Sequence, residues 1–493
     1  MRRPFGINLV RAGGLVLLFS VAGAVESFRL SSLHNPEVWL HLRVGEWILA
    51  NKAWPSTGLF SQAVNLPWRD YTWTADAVAG VGYRVLGLSV VPALWMIYRV
   101  LLAGAMFLLA GGSRRNFWIP AAVSGVAQYL LYGLGPLGSG TSALFVALEF
   151  FLLVQARRSR SLRKLFLLVP LFVFWANADA GFVYGIGLFV LFLAATVVER
   201  IQPAWSGQPE RQSGQGSELA TAPMACGACM LATLLSPYGF HSYVDFLAAQ
   251  TSPVNQYISA HTAMNFRQPQ HYVLVLLVMS AFLLLGVRRS RDLFLLSALI
   301  GSTALGFYAQ GESWLAILAS LAVIGDSVSE QSVAPLRDRQ YRSAPQWPVV
   351  EAAAALAVLL VCYAAVVPRQ RDVLLSRVAE EYPIRACDYI RQHRLPAPLF
   401  NTQNWGSFLV WYLPEYPVAI DARTGLYPDD VETDYFKAML LLAPYQSVPS
   451  LGEARTLLFE KSNVLGEAFQ GVPGFQVAHE DGNSLVLLHE THE

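Results

Sequence analysis

Long apolar blocks alternate with basic loops along most of this chain. Blocks of this length can cross the ~30 Å hydrocarbon core of a bilayer as helices. They predict about eleven membrane-spanning helices, at residues 12–25, 90–110, 118–135, 142–155, 165–175, 181–198, 222–235, 272–287, 293–307, 313–325 and 349–367. Arg and Lys recur in every second loop, as at 157–164 and 288–291, whereas the loops at 132–141, 177–180 and 308–312 contain neither. Since positive charge marks the cytoplasmic side, the N-terminus is predicted to be cytoplasmic.

The composition agrees with a membrane protein and changes toward the C-terminal end. Apolar residues make up 54% of the 493 residues and charged residues only 14%, which is too apolar for a soluble protein of this size. Beyond residue 367, short apolar runs alternate with stretches that predict helices, as in a small α/β domain. We therefore expect a transmembrane domain at 1–367 and an extracytoplasmic α/β domain at 368–493. The net charge of +1 gives no indication of a nucleic-acid partner.

The first predicted outer loop, residues 26–89, carries most of the candidate chemistry. A turn at Pro36 is followed by apolar residues at helical spacing, which predicts an amphipathic helix at the membrane surface. Glu37 and His41 lie one turn apart on one face of that helix. Together with Arg43 they suit the binding of an anionic headgroup or general base catalysis. The alternative is that these charges are only solvated at headgroup level.

The same loop is rich in tryptophan, which is enriched where proteins meet the membrane surface. It contains Trp39, Trp47, Trp54, Trp68 and Trp73. We interpret them as an interfacial aromatic belt.

Ionisable residues inside the predicted spans are a second set of candidates, because a charge in the bilayer is costly and usually has a partner or a function. Arg99 lies in the second predicted span and Glu149 in the fourth. We expect them to form a buried ion pair that orients helices, while the alternative gives Arg99 a lipid phosphate to bind. Asn177 and Asp179 interrupt the apolar run between the fifth and sixth spans, where they suit either a site on the outer face or helix capping.

Several motifs fall in a recognisable order. Asn-Pro-Glu-x-Trp-x-His-Leu-x-x-Gly-Glu-x-Ile occupies residues 35–48 and is followed by Pro55, Phe60-Ser61 and Pro67-Trp68. Later landmarks are Trp-Ala-Asn-Ala-Asp-Ala-Gly at 175–181, Ser-Pro-Tyr-Gly at 236–239 and Ile-Asp-x-Arg at 420–423. Together these segments resemble bacterial polytopic membrane proteins related to the GT-C glycosyltransferases.

The resemblance implies a GT-C-like enzyme of the bacterial cytoplasmic membrane. Members of that group take a sugar from a polyprenyl-phosphate carrier and pass it to a glycan, lipid or protein acceptor on the outer face, usually with inversion at the anomeric carbon. An acid in their first outer loop acts as catalytic base or metal ligand, and Glu37 matches it. A divalent cation, Mg²⁺ or Mn²⁺, is compatible with such a site, but the sequence assigns it no ligands.

The chain also departs from the group's pattern. Where the group commonly has Asp-Pro-Asp, this chain has Asn-Pro-Glu at 35–37, so one expected carboxylate is missing. Asp179 stands where the group usually has a His and is our candidate for the second acid, with Asn177 beside it as a candidate substrate contact.

Other residues are candidates for holding the substrate. His41, Arg43 and Arg99 are candidates for the carrier phosphate, since a guanidinium suits bidentate phosphate contact. In the outer domain, Asp421 and Arg423 are candidate substrate-binding residues, although an Asp and an Arg this close more often tie a loop together.

Three functions are weighed on this basis. The leading one is transfer of a lipid-linked sugar. The second is a catalytically inactive protein of the same architecture that binds a lipid or glycan or serves as a subunit of a complex, which the altered motifs favour. A transporter is the least favoured, because no two halves of the chain match and the polar groups gather toward the outer face.

Overall fold

The computed structural model describes residues 30–113, 116–159, 161–202, 216–287, 292–331 and 367–490, together with Gly14 and Val361. Over these residues the chain is mostly helical and contains one four-stranded sheet. Its contacts divide the chain into two compact units. Unit 1 contains the described residues of Trp95–Tyr243 and Ile258–Val366, and unit 2 those of Arg29–Leu94, Val244–Tyr257 and Val367–Glu493.

Unit 1 is helical throughout its apolar blocks. Its helices are Val90–Leu109 from Trp95 onward, Trp118–Leu130, Ser139–Ser159, Leu168–Trp175, Phe182–Ile201, Gly216–Thr233, Pro269–Val287, Leu293–Tyr308 and Ser313–Gln331. Each falls on one of the predicted spans. The predicted spans 12–25 and 349–367 lie almost entirely outside the described residues.

Length and composition support a multi-pass membrane protein. Five stretches of the described residues are long and apolar enough to cross a membrane: Trp73–Leu109, Ser139–Ser159, Phe182–Ile201, Pro269–Val287 and Gln310–Ser329. Two further apolar helices, Ala220–Thr233 and Leu293–Tyr308, are shorter than the ~20 residues that a span normally needs. The total of about eleven spans therefore stays a prediction.

An ion-pair cluster ties helix ends together in unit 1. Nη2 of Arg157 donates to both carboxylate oxygens of Glu199, at 2.8 and 2.7 Å. Glu199 also accepts a hydrogen bond at 3.0 Å from the backbone N–H of Leu293, the first residue of its helix. These three residues belong to three different helices, so one buried carboxylate fixes the relative positions of all three ends.

The region 367–490 of unit 2 contains the sheet. Its strands are β1 (Leu399–Asn401), β2 (Thr456–Glu460), β3 (Phe475–Glu480) and β4 (Ser484–His489), in the spatial order β1-β2-β4-β3. β1 pairs in parallel with β2, and the other pairings are antiparallel. The accompanying helices are Arg371–Val378, Ile384–His393, Gln403–Tyr412, Asp429–Met439, Pro449–Gly452 and Val464–Phe469. The region thus has the α/β character that its sequence predicts.

The segment predicted to be the first outer loop folds into unit 2 as well. Its two helices are Glu37–Asn51, here called the Glu37 helix, and Trp73–Leu86, here called the Trp73 helix. The sequence predicted a domain boundary at residue 367, with this loop in the transmembrane domain, and that boundary stays a prediction. By contacts, the loop and residues 367–490 belong to one unit.

Trp39 shows how the loop and the α/β region are joined. Its indole is fully buried, with ring centroids 4.7 Å from Trp411, 5.4 Å from Phe408 and 5.6 Å from Tyr382. Aromatic contacts of this kind stabilise beyond the area they bury. The interpretation of Trp39 as part of an interfacial belt is therefore wrong, because the rings that cover it come from a distant part of the chain. Trp54, by contrast, is exposed.

Candidate active site

The Glu37 helix begins with a side-chain cap. The side-chain oxygen of Asn35 accepts a hydrogen bond at 2.9 Å from the backbone N–H of Glu37, one of the N–H groups that a helix start leaves without a helical partner. The amide at position 35 thus has a structural role of its own, and Pro36 helps to set the turn.

Glu37 projects from this first turn and is an exposed residue, although protein atoms surround much of its carboxylate. It makes no hydrogen bond or ion pair with any residue that the structure describes. Desolvation by the surrounding protein raises the pKa of Glu37, while the nearby His41 acts in the opposite direction. An acid with a raised pKa lies closer to the range in which general bases work.

His41 lies one turn further on and is held by an acid from the Trp73 helix. Its Nδ1 and Oδ1 of Asp76 are 2.5 Å apart. Both side chains are buried, with 10% of the His41 side chain and 2% of the Asp76 side chain accessible. A carboxylate at one ring nitrogen fixes the ring orientation.

Two glycines allow the two helices to approach so closely. A Cβ added at Gly45 would lie 2.0 Å from the backbone oxygen of Asp76, and one added at Gly80 would lie 2.6 Å from the carbonyl carbon of Gly45. No larger residue fits at this crossing. The glycines therefore set the distance at which Asp76 meets His41.

A second buried acid, Asp70, supports the first. Its Oδ1 accepts hydrogen bonds from the backbone N–H and the hydroxyl of Thr72, at 3.1 and 2.8 Å. The Thr72 hydroxyl also lies 3.5 Å from Oδ2 of Asp76. Burial raises the pKa of Asp70 well above its usual range, and the neighbouring Asp76 raises it further. Asp70 and Asp76 were not among the site residues predicted from the sequence. The available signal was that each is an acid within a largely apolar and aromatic stretch of the chain.

Arg43 lies on the same helix as Glu37, and its guanidinium has no carboxylate partner among the described residues. Its guanidinium carbon stacks 5.2 Å from the ring centre of Phe60. Its Nε is buried without a hydrogen-bond partner, and no ion pair of Arg43 occurs among the described residues. A half-buried cation of this kind is suited to an external anion.

Asp421 and Arg423 are buried and satisfied by the protein itself. Nη2 of Arg423 lies 2.7 Å from Oδ2 of Asp421, and Nη1 donates to the backbone oxygen of Leu59 at 2.8 Å. The Tyr427 hydroxyl donates to the same carboxylate at 3.3 Å, and Trp68 stacks under the guanidinium at 4.9 Å. This arrangement favours the scaffolding alternative, in which the pair ties the outer loop to the α/β region.

Asp179 and Asn177 lie in unit 1. The Asp179 carboxylate accepts a hydrogen bond from the Ser142 hydroxyl, which in turn accepts one at 2.8 Å from the indole N–H of Trp175. The side-chain amide of Asn177 donates to the backbone oxygen of Val173 at 2.8 Å, as in helix capping. Both residues thus have local partners, and a role in catalysis stays a prediction.

Arg99 and Glu149 do not form the expected ion pair. Arg99 stacks 4.6 Å from the ring centre of Tyr132 and donates to the backbone oxygen of that residue at 2.5 Å. Glu149 is fully buried, and neither of its oxygens has a hydrogen-bond partner among the described residues. It faces another helix, since a Cβ at Gly185 would lie 2.6 Å from its Oε2. The pair prediction is wrong because the two side chains point to different neighbours.

The candidate residues therefore fall into two groups. Glu37, His41 and Arg43 lie on one helix of unit 2, which also contains the buried Asp421 and Arg423. Arg99, Asn177 and Asp179 belong to unit 1. Across the described part of the chain, no group of three or more His, Cys, Asp or Glu side chains is arranged to hold a metal ion. The divalent cation stays a prediction.

Comparison with known proteins gives a likeness to solved structures. No family model and no curated protein matches the chain. Among solved structures, the chain is similar to the crystal structure of ArnT from Cupriavidus metallidurans bound to undecaprenyl phosphate, with a TM-score of 0.46 and 15% sequence identity over 96% of this chain and 98% of that one.

Proposed function

We propose that this protein is a membrane glycosyltransferase that moves a sugar from a polyprenyl-phosphate carrier to an acceptor hydroxyl on the outer face of the membrane. The observation that carries the proposal is the Glu37 carboxylate, which has no partner among the described residues and lies one helical turn from a buried imidazole. A carboxylate that serves only the fold is normally paired or fully solvated, whereas Glu37 is unpaired and its pKa is raised by desolvation.

The reaction needs a base and a cation, and the Glu37 helix offers both. For an inverting transfer, Glu37 takes the proton from the acceptor hydroxyl as its oxygen attacks the anomeric carbon. The bond from that carbon to the carrier phosphate breaks, and the phosphate leaves with the bonding electrons. Arg43, whose guanidinium has no carboxylate partner among the described residues, is assigned to the negative charge of that phosphate.

The test compares envelope glycans and glycolipids by mass spectrometry in a deletion strain. The strain is rescued with wild-type protein, Glu37→Ala, Asp179→Ala or Glu46→Ala. Glu46 is the matched control, because it is a partly buried acid on the same helix with no assigned role. We expect a sugar-sized mass to disappear on deletion and to return with wild type and Glu46→Ala but not with Glu37→Ala.

The Asp179 variant tests the second acid separately. Loss of transfer in Asp179→Ala at normal protein abundance supports two acids in the mechanism. Retained transfer assigns Asp179 to its hydrogen bond with Ser142 alone. Equal rescue by Glu37→Ala and wild type would overturn Glu37 as the base.

The second candidate is a catalytically inactive protein that binds a lipid or glycan, or joins a complex. The capping amide at position 35, where the GT-C group commonly has an acid, favours it. Under this alternative the deletion changes no glycan mass, although Arg43→Ala still reduces the lipid that copurifies with the protein.

A further inference from the structure

We propose that Leu440, Leu441 and Leu442, here called the leucine turn, insert into the apolar part of the lipid bilayer and anchor the α/β region to the membrane. This inference goes beyond the proposed function and does not depend on it, because none of the three leucines belongs to the candidate active site. The partner that it assigns is the hydrocarbon of membrane lipids.

The leucine turn presents three large apolar side chains in a row. It follows the helix Asp429–Met439, and the accessible fractions of its side chains are 57%, 50% and 71% in chain order. Single apolar residues on a surface are ordinary, but three exposed in succession are unusual unless they serve a contact. Exposed apolar patches commonly mark a surface that meets a partner or a membrane.

The backbone of the leucine turn is fixed, so the exposure does not come from a loose loop. The N–H of Leu442 donates to the backbone oxygen of Lys437 at 2.8 Å, and the N–H of Leu441 donates to that of Ala438 at 3.0 Å. This pair of hydrogen bonds is the Schellman arrangement, in which an apolar residue at the position of Leu442 frequently packs back on the helix. Leu442 does not pack back, because most of its side chain is accessible.

Leu441 occupies the position of this arrangement at which glycine is usual. Its φ is 58°, in the left-handed region that is unfavourable for a residue with a Cβ atom. Half of its side chain is accessible, so packing within the chain compensates little for that conformation. A contact outside the chain explains why a leucine stands there.

The helix before the leucine turn packs on the segment 253–257. The Phe436 ring stacks on the ring of Tyr257, with centroids 5.3 Å apart and planes 9° apart. At the start of the helix, the Ser252 hydroxyl donates to Asp429 at 2.8 Å. The backbone oxygen of Phe436 accepts a hydrogen bond at 3.1 Å from the N–H of Leu440. The leucine turn is thus bonded to the residue that holds Tyr257.

The chain after Tyr257 leads directly to a stretch that can cross a membrane. Only Ile258 separates Tyr257 from Ser259, so their Cα atoms lie within ~8 Å of each other. The backbone oxygen of Ser259 accepts a hydrogen bond at 2.6 Å from Nε2 of Gln310, the first residue of the apolar stretch Gln310–Ser329. Since the end of a membrane span lies at the membrane surface, this short path favours lipid as the partner of the leucine turn.

The charges of the helix Asp429–Met439 also suit a membrane surface. Its acids, Asp429, Asp430 and Glu432, lie in the first turn, at the end away from the leucine turn. Lys437 lies in the last turn and makes no ion pair with any residue that the structure describes. A lysine beside an inserted apolar segment can extend its ammonium group to lipid phosphates. The end that carries the leucines therefore has the chemistry of an interfacial anchor.

The first test measures whether the leucine turn lies in lipid. A nitroxide spin label is attached to Leu442→Cys in the full chain, with the four native cysteines replaced by alanine, in nanodiscs of phosphatidylethanolamine and phosphatidylglycerol. Oxygen concentrates in the bilayer, whereas a nickel chelate stays in water. We expect oxygen to relax the label at position 442 more strongly than the chelate does. The matched control is Val477→Cys, at an exposed apolar residue of β3 in the same unit, where the chelate should act more strongly.

The second test removes one side chain while keeping the turn. Leu441→Gly suits the left-handed backbone, so the hydrogen bonds that close the helix should be retained. We expect the ratio of lipid-immersed to water-exposed label at position 442 to fall about tenfold, because burial of a leucine side chain accounts for a factor of at least that size. The first test decides the inference even if this variant misfolds.

Three results would overturn the anchor. One is a label at position 442 that the nickel chelate relaxes more strongly than oxygen, and another is an unchanged ratio in Leu441→Gly. The third is shielding from both reagents only when two copies share a nanodisc, which would assign the leucine turn to contact between copies of this chain. None of these results bears on Glu37, so the proposed function is tested separately.

Discussion

Asp70 is an acid of unit 2 that is buried where ionisation is unfavourable. Its side chain is buried beside another acid, and its pKa in the folded protein lies well above the value in an unfolded chain. Between these two pKa values the folded state binds more protons than the unfolded state. The free energy of unfolding therefore decreases as the pH rises through that window. Asp70 thus destabilises the fold at neutral pH, a cost consistent with a functional role.

We expect Asp70→Asn to reduce this pH dependence without abolishing it, because burial also raises the pKa of the neighbouring Asp76, to about 8. The amide has nearly the shape of the protonated acid and can keep the contacts with Thr72. The loss of thermal stability between about pH 4 and neutral pH should therefore be smaller in the variant than in wild type. Thermal unfolding in detergent micelles, followed by tryptophan fluorescence at each pH, measures this loss of stability.

Asp481 supplies a control of opposite sign. Partial burial acts to raise its pKa, but hydrogen bonds from the backbone N–H groups of Asn483 and Ser484 and from the Ser484 hydroxyl lower it overall. Its contribution to stability is present above its unfolded pKa and is lost as the pH falls. Asp481→Asn should therefore be less stable than wild type at neutral pH.

An Asp70→Asn protein whose thermal stability depends on pH as the wild type's does would contradict the protonated state assigned to Asp70.

For individual residues, the sequence predicted which side chains lie together on the Glu37 helix but not which acids approach that helix from another part of the chain. Helical spacing alone places Glu37 and His41 together, because both lie within one helix. The partner acids could not be found in this way, since the contact of His41 with Asp76 depends on how two helices pack. For the same reason, the expected pair of Arg99 and Glu149 was wrong: the sequence shows that both are charged and apolar-flanked, but not which neighbours they face.

The crossing of the Glu37 and Trp73 helices is the element on which the candidate site depends. Gly45 and Gly80 each face the backbone of the other helix, so the two axes approach more closely than any pair of larger residues would allow. The crossing brings Asp76 to His41 and leaves Glu37 at the open end of the same helix. Elements of this length and periodicity are predictable from sequence.

We expect Gly45→Ala to separate these helices. The added methyl group would overlap the backbone oxygen of Asp76, and overpacking of this kind costs about 1–3 kcal/mol. The variant should unfold at a lower temperature. Gly482→Ala is the control, because nothing lies within 4 Å of a Cβ there, and its change should stay within about 0.5 kcal/mol. Equal stability of the two variants would contradict the close crossing.

For the whole molecule, the orientation of the chain in the membrane decides whether the proposed transfer is possible. A carrier-linked sugar reaches an acceptor outside the cell only if unit 2, with Glu37, faces outward. The charge pattern predicts this orientation, because the run that includes Arg163 is basic and the cytoplasmic side collects positive charge. Two exposed residues report on it: Lys461 in unit 2 and Arg163 in that run.

We expect a membrane-impermeant maleimide to label Lys461→Cys in intact spheroplasts and Arg163→Cys only after permeabilisation. The four native cysteines, Cys226, Cys229, Cys362 and Cys387, would first be replaced by alanine; the three that the structure describes, Cys226, Cys229 and Cys387, make no disulfide. Labelling is a direct measure of topology, since the reagent cannot cross the bilayer while the thiol of an exposed residue reacts readily. The reverse pattern would place the Glu37 helix in the cytoplasm, where the proposed transfer to an outer-face acceptor could not occur, and the inactive or binding role would then be the better explanation of the same residues.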